Sequence, residues 1–328
     1  MPDKIKDYIS NIIYFNNWDK SVKTRKDSIT FRSKLVSKTL VDIFENSNKN
    51  RVREMPTFAN INLMGKCNLK CYFCVGKELK EITNSFGKNI DKVSHMNEHF
   101  SKWKNFIPFL NRMKENDIKK LYLTGLSTDP AIYKYLSELI DFLKERGFNV
   151  GIRTNGYYRP EGIDKVLSSL NEEVSYSIHS FNPEINKKII GTTKMPDWDK
   201  IIPASGDNVR IATIVSRYNK DDILSTIKNL SKYSNIKYIQ LRAICSDINI
   251  NEYAEDRKAF DELKNEFSMK FKQVDDFKKS PIYEVFGKRV SFWDALGVNV
   301  NSNNYFTDGT FTDSPFVIEG YAKSNLLK

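Results

Sequence analysis

The sequence predicts an α/β protein: an open, partial (β/α)6 barrel of the TIM type, with an N-terminal helical extension and a small C-terminal cap. Three observations predict it. Between residues 56 and 270, short apolar or alternating runs take turns with helix-like stretches about six times, which is the rhythm of parallel βα units. Most of these runs carry polar side chains on one face and apolar ones on the other. After about residue 270 the rhythm gives way to short strand-and-turn segments.

The strand-like runs are 58–64, 120–125, 149–156, 174–180, 209–216 and 237–245, with helical stretches at 131–147, 162–170, 220–233 and 253–269 between or after them. One face of these strands carries Asn60 and Asn62, Tyr122 and Thr124, Arg153 and Asn155, Ser175, Ser177 and His179, then Tyr238, Gln240 and Arg242. The other carries Ile61 and Leu63, Leu121 and Leu123, Ile152, then Val174, Tyr176 and Ile178, and Ile239, Leu241 and Ala243. A closed eight-stranded barrel fills its interior with branched apolar side chains. A polar inner face on six strands predicts an open barrel around a substrate cavity instead. The fifth run is ambiguous, because Arg210 and Ser216 lie opposite Thr213. Residues 1–55 are polar and read as the helical extension, 56–270 as the barrel, and 271–328 as the cap. Asp308-Gly309 supplies a turn in the cap.

Forty per cent apolar residues suffice for a sizeable core and exclude a disordered chain. The net charge of +11 favours acidic partners in general and selects none. Three of the four cysteines lie within eight positions, which fits metal ligation in a reducing compartment better than a disulfide framework. The first residues show no signal-peptide pattern, and no apolar run approaches the roughly 20 residues needed to span a bilayer. The expectation is a cytoplasmic protein without a membrane partner.

Directly after the first strand comes Gly65-Lys-Cys67-Asn-Leu-Lys-Cys71-Tyr-Phe-Cys74. This resembles the radical S-adenosylmethionine (radical SAM) superfamily, whose pattern is C-x3-C-x-Φ-C with Φ aromatic; Phe73 fills that position. The resemblance implies one [4Fe–4S] cluster on Cys67, Cys71 and Cys74. Three thiolates on a tight loop leave one iron open, and in the family that iron binds the amino and carboxylate groups of S-adenosylmethionine. Reductive cleavage then yields a 5′-deoxyadenosyl radical that takes a hydrogen atom from substrate. The competing reading is zinc held by Cys71, Cys74, His95 and His99, although its spacing is long and strands Cys67.

The resemblance runs from about residue 58 to 245 and implies further cofactor contacts. Leu123-Thr-Gly-Leu-Ser-Thr-Asp-Pro130 stands where relatives carry a Gly-Gly-Glu-Pro type segment. Thr124, Gly125, Ser127, Thr128 and Asp129 are therefore candidates for the S-adenosylmethionine amino group, with Asp129 the charged partner. Asp129-Pro130 also reads simply as a helix start. Asn155, Ser177 and His179 are candidates for the ribose or carboxylate, or else a turn residue and satisfied core groups. The segment 180–191 is similar to the helix and Ile-Gly turn of viperin and of the GTP cyclase of molybdopterin biosynthesis. Lys194 beyond it is either a carboxylate ligand or an exposed loop lysine. Cys245 sits on the apolar face and reads as an inert thiol.

The expected function is a single-cluster radical SAM enzyme acting on a small polar molecule of nucleotide, sugar or amino-acid type. Asn60, Asn62, Tyr122, Arg153, Gln240 and Arg242 would line its cavity. Arg153 and Arg242 suit a carboxylate or phosphate, or a salt bridge within the barrel. Tyr305 belongs to the segment 305–313, expected to close over substrate. Reduced flavodoxin or ferredoxin is the expected electron donor. Modification of RNA or a peptide is the second enzymatic reading, and a zinc-stabilised binding protein the non-enzymatic one.

Overall fold

The computed structural model describes residues 56–74, 76, 93–158, 162–244, 252–295 and 302–313. The N-terminal extension expected over 1–55 and the thiol of Cys245 lie outside the described residues.

All six expected strands form: β1 (Phe58–Met64), β2 (Lys120–Leu126), β3 (Asn149–Thr154), β4 (Val174–Ser177), β5 (Val209–Ile214) and β6 (Ile236–Arg242). They pair in parallel in sequence order. Between them run α1 (Phe106–Glu115), α2 (Leu136–Glu145), α3 (Ile163–Ser168), α4 (Pro183–Ile190), α5 (Trp198–Ile201) and α6 (Ile223–Ser231), and α7 (Ala254–Lys270) follows β6. Helix α1 was not among the expected elements, although its apolar positions 106, 109, 110 and 113 follow helical spacing and are all buried.

The segments expected to form a C-terminal cap extend the sheet instead. Three strands, β7 (Gln273–Phe277), β8 (Ser280–Val285) and β9 (Lys288–Trp293), form an antiparallel meander whose last strand pairs in parallel with β6. At the opposite edge β10 (Asn303–Phe306) pairs in parallel with β1, and β11 (Phe311–Thr312) turns back along β10. The sheet order among the described residues is therefore β11-β10-β1-β2-β3-β4-β5-β6-β9-β8-β7, a linear order with eight parallel strands at its centre. A strand needs a partner for its backbone hydrogen bonds, and the exposed edges of β1 and β6 supply that partner better than a cap could.

The apolar face lies where alternation predicts. Ile61, Leu63, Leu121, Leu123, Ile152, Val174, Tyr176, Ile178, Ile239, Leu241 and Ala243 are all buried in one hydrophobic cluster with the helices. Each such aliphatic side chain contributes roughly 1.5–3 kcal/mol through burial. The ambiguity of β5 also resolves. Arg210 pairs with Ser175 and Tyr238 on the polar face, and the register slips between Val209 and Arg210. Such an irregularity breaks strict two-residue alternation. Among the described residues no helix is long and apolar enough to cross a membrane.

Candidate active site

The cysteine loop begins where β1 ends, beside the C-terminal ends of the parallel strands. Four neighbours hold it. First, the last carbonyls of α4, which have no partner inside the helix, accept from the loop: Lys70 N–H donates to Ile190 O (3.1 Å) and Tyr72 N–H to Ile189 O (3.0 Å). Gly191 ends that helix at φ 82°, and a Cβ there would stand 3.1 Å from Lys70 Cβ. Glycine therefore serves both the left-handed turn and the close approach of the loop.

Second, the turn after β2 grips both ends of the loop. Thr128 Oγ1 donates to Lys66 O (3.1 Å) and Ser127 Oγ to Gly76 O (3.3 Å). The turn folds so tightly that a Cβ on Gly125 would lie 1.8 Å from Thr128 O. Third, the end of β3 reaches over: Asn155 Nδ2 donates to Asn68 Oδ1 (2.8 Å) and approaches Cys67 Sγ at 3.8 Å, while Asn68 Nδ2 donates to Tyr157 O. Fourth, the Tyr72 hydroxyl donates to Asp256 Oδ1 on α7 (2.7 Å), and Tyr253 OH donates to Tyr72 O (3.3 Å). Asp256 is fully buried and also accepts from Arg217 N–H (2.9 Å). Burial, then Asp256, pushes the Tyr72 phenol far above its usual range.

The three cysteines of this loop form no disulfide and are partly buried. Burial pushes Cys67 up to about 11, opposed by the Leu69 N–H that donates to its sulfur (3.4 Å) and reinforced by the nearby Asp129 and Cys74. A thiol so placed ionises readily only against a cation, as thiolate ligation to iron provides. The donor set therefore fits a [4Fe–4S] cluster. The zinc arrangement does not form. His95 bonds the Thr307 hydroxyl (3.1 Å), and His99 lies between Ser101 (2.7 Å) and Glu138 (3.3 Å). Among the described residues no three His, Cys, Asp or Glu side chains converge on a single ion. A cubane needs no such convergence, because its thiolates attach to different irons.

Phe73 meets His179 edge to face at 5.3 Å, which places the end of β4 against the cysteine loop. Nδ1 of His179 accepts from Ile214 N–H (3.2 Å), and burial pulls the ring down to about 4. The imidazole is thus neutral near pH 7 and carries its proton on Nε2, as a donor rather than a charge. Ser177, two residues earlier, is partly buried on the same face. Lys194 is exposed.

Several expected contacts have other partners. Asp129 is 3% exposed and its carboxylate is committed to protein: Oδ1 accepts from Ala131 N–H (2.8 Å) and Thr154 Oγ1 (2.8 Å), Oδ2 from Asn155 N–H (2.6 Å). It caps the short turn Pro130–Ile132 and ties β3 to the turn after β2. The hydroxyls of Ser127 and Thr128 are spent on the cysteine loop, and Thr124 donates to Asn62 Oδ1 (2.7 Å). Asn60 and Asn62 serve β10, donating to Asn304 Oδ1 (2.8 Å) and Tyr305 O (3.1 Å). Tyr305, expected to close over substrate, does not face the cavity. It lies on the helix side of β10, fully buried among Phe106 and Phe109, and its hydroxyl donates to Lys104 O (2.8 Å). The pairing of β10 with β1 sets that orientation, because Tyr305 stands opposite Ile61.

Tyr122, Arg153, Gln240 and Arg242 stay on the polar face, where Gln240 pairs across from Ala212 and Arg242 from Ile214. The Arg153 guanidinium lies 4.8 Å from the Tyr122 ring centroid and 5.7 Å from that of Phe58. Sequence reasoning missed Arg210, Glu173, Asn68, Tyr72 and Asp256. Only tertiary pairing reveals them, apart from the positions of Asn68 and Tyr72 between cysteines.

Comparison with known proteins accords with this arrangement. The family model described as the Radical SAM superfamily matches residues 61–240. The chain is 26% identical over 173 residues to the GTP 3′,8-cyclase of Aquifex aeolicus, covering 50% of this chain and 49% of that protein. It is 27% identical over 124 residues to an S-adenosylmethionine-dependent nucleotide dehydratase of a Thermoplasmatales archaeon, 38% of each chain. The chain thus spans about half, or less, of the length of these curated relatives. In fold it is similar to Streptococcus suis SuiB, with a TM-score of 0.54 and 12% identity over 95% of this chain and 72% of that one.

Proposed function

The chain belongs to the radical SAM superfamily, and from that premise we propose that it cleaves S-adenosylmethionine reductively and abstracts a hydrogen atom from a small polar substrate held on the inner face of the barrel. The observation that carries this reading is the cysteine loop: three cysteines outside any disulfide on ten residues, anchored by β2, β3, α4 and α7 at the mouth of the parallel strands. Members of the superfamily use a [4Fe–4S] cluster and S-adenosylmethionine, and together these supply the 5′-deoxyadenosyl radical.

The protein's own part is to bind, orient and exclude water. Cys67, Cys71 and Cys74 hold the cluster. Asn155 and the Leu69 N–H direct hydrogen bonds at the Cys67 sulfur. Phe73, next to Cys74 in the chain, packs against neutral His179, and the His179 Nε2–H suits a ribose or carboxylate oxygen of the cofactor. The relatives named above act, by their names, on nucleotides, which supports a nucleotide over a sugar or amino acid. Lys66 and Lys70 are exposed on the cysteine loop and suit an acidic flavodoxin or ferredoxin as reductant.

The test is anaerobic reconstitution followed by reduction with S-adenosylmethionine present. The expected result is four irons per chain, release of 5′-deoxyadenosine, and deuterium transfer into it from a labelled nucleotide. Zinc without iron, or a loaded cluster that releases no 5′-deoxyadenosine, would refute the proposal.

A further inference from the structure

Among the described residues, Arg153 is a cation without an ion-pair partner. Its side chain is partly buried, its Nε is buried without a hydrogen-bond partner, and among the described residues no carboxylate forms an ion pair with it. Its printed neighbours are the faces of Tyr122 and Phe58. The nearby acid, Glu173, is occupied: it pairs with Arg210 Nε at 3.1 Å and accepts from the Tyr238 hydroxyl at 2.8 Å. Arg210 donates as well to Ser175 (2.9 Å). Burial, then repulsion from Arg210 and Arg242, pulls Arg153 down to about 10. Buried charges are ordinarily paired; here the described acid that acts on this guanidinium, Glu173, is already engaged by Arg210 and Tyr238.

The position of this cation relative to the cysteines is informative. Arg153 and Asn155 share one face of β3, two residues or roughly 6–7 Å apart along the strand. Asn155 touches the Cys67 sulfur. The Arg153 head leans the other way, over the ring of Tyr122, whose residue pairs with Gly151, and toward Phe58 at the start of β1. Gly151 leaves room for this, since a Cβ there would stand 2.7 Å from the Tyr122 ring. The cation thus lies deeper in the barrel than the cysteine loop.

We infer that Arg153 is the centre of an oxyanion site deep in the barrel that anchors the phosphate or carboxylate end of the substrate, leaving its other end near the cysteine loop. A guanidinium offers a planar fork that matches either oxyanion. The tilt of the head away from the cysteines means that the substrate spans the barrel, with its charged group remote from the carbon that loses hydrogen. The inference rests on the reading of the polar face as the substrate cavity, made in the proposal above.

The test uses the full-length, cluster-loaded protein and thermal unfolding at constant ionic strength. Inorganic triphosphate, pyrophosphate and phosphate form one arm, and citrate and succinate the other. One arm is expected to raise the midpoint saturably, and which one does so identifies the group as phosphate or carboxylate. Arg153→Gln should weaken that binding by roughly tenfold or more, as loss of a charge-assisted bond implies. Arg153→Lys, which keeps the charge and loses the fork, should fall between. Without anion, Arg153→Gln should unfold at the same or a higher temperature than the wild type, because it removes a charge without an ion-pair partner among the described residues; a purely structural arginine would show the opposite. No saturable response in either arm, or equal binding by Arg153→Gln, would overturn the inference. Anion binding without 5′-deoxyadenosine release would uphold this site while removing the radical reading. Release of 5′-deoxyadenosine without anion binding would do the reverse.

Discussion

Replacing Asp129 by Asn separates the two roles open to this carboxylate: partner of the S-adenosylmethionine ammonium, or clamp between β3 and the turn after β2. It accepts three protein hydrogen bonds, from Ala131 N–H, Thr154 Oγ1 and Asn155 N–H. Bonds to a charged acceptor contribute roughly 1.5–3 kcal/mol each and neutral ones about 0.5–1.5. An amide has one acceptor oxygen on one side and a donor on the other. Either orientation leaves a backbone N–H facing an NH2 group, and weakens the bonds that survive. The gross loss is about 3–5 kcal/mol. Burial opposes it, since it already pushes the Asp129 carboxyl above its usual range, so a net loss of about 2–3 kcal/mol is expected. At about 2–4 °C per kcal/mol for a domain of this size, the midpoint should fall by roughly 5–10 °C. Thermal unfolding followed by circular dichroism at pH 7, without S-adenosylmethionine, measures it. A midpoint within about 1 °C of the wild type, joined to a tenfold or greater loss of S-adenosylmethionine affinity, would show that the carboxylate addresses the cofactor and that the clamp argument fails.

Tyr72→Phe removes the hydroxyl that ties the cysteine loop to buried Asp256, a bond to a charged acceptor of roughly 1.5–3 kcal/mol. Iron should be lost faster to a chelator under anaerobic dialysis with far-ultraviolet dichroism unchanged, and equal retention would count against the tether. Gly125→Ala drives a methyl to 1.8 Å from Thr128 O; the turn must open, at about 2 kcal/mol or more, which lowers the urea midpoint, and a midpoint like the wild type's would contradict the packing. His179 is held near pKa 4 when folded, below its unfolded value of about 6.5. The unfolded state therefore binds more protons between these limits, and stability falls as pH drops from about 6.5 toward 4, by up to roughly 3 kcal/mol. Urea midpoints at pH 7 and pH 5 should show a slope that His179→Gln reduces; an unchanged slope in that variant would place the titration elsewhere.

The strands were legible because alternation repeats. A polar inner face and an apolar outer one, written on five of the six strands, predict which side of the sheet meets the helices, and Ile61, Leu121, Tyr176 and Ile239 lie there. The cysteine spacing was legible for a different reason: the chemistry needs three thiolates on one short loop, so it is written locally. The turn residues after β2 and β3 stand out in the sequence, but their protein partners are not written there. Side chains such as Ser127, Thr128 and Asp129 can bond either a ligand or a neighbouring backbone, and sequence alone does not contain the neighbour.

What the sequence determined by itself was the class of fold and the place of the cysteine loop, since both follow from short-range periodicity and spacing. What only the tertiary structure decided was pairing between distant segments. Asn304 lies 244 positions from Asn60, and Asp256 lies 184 from Tyr72. Those contacts turned an expected cap into two sheet edges and carried Tyr305 out of the cavity. Among the described residues they also leave Arg153 Nε without a hydrogen-bond partner. A hydrogen bond or an ion pair acts over a few ångströms in space, and no local pattern states which remote residue will stand within that reach.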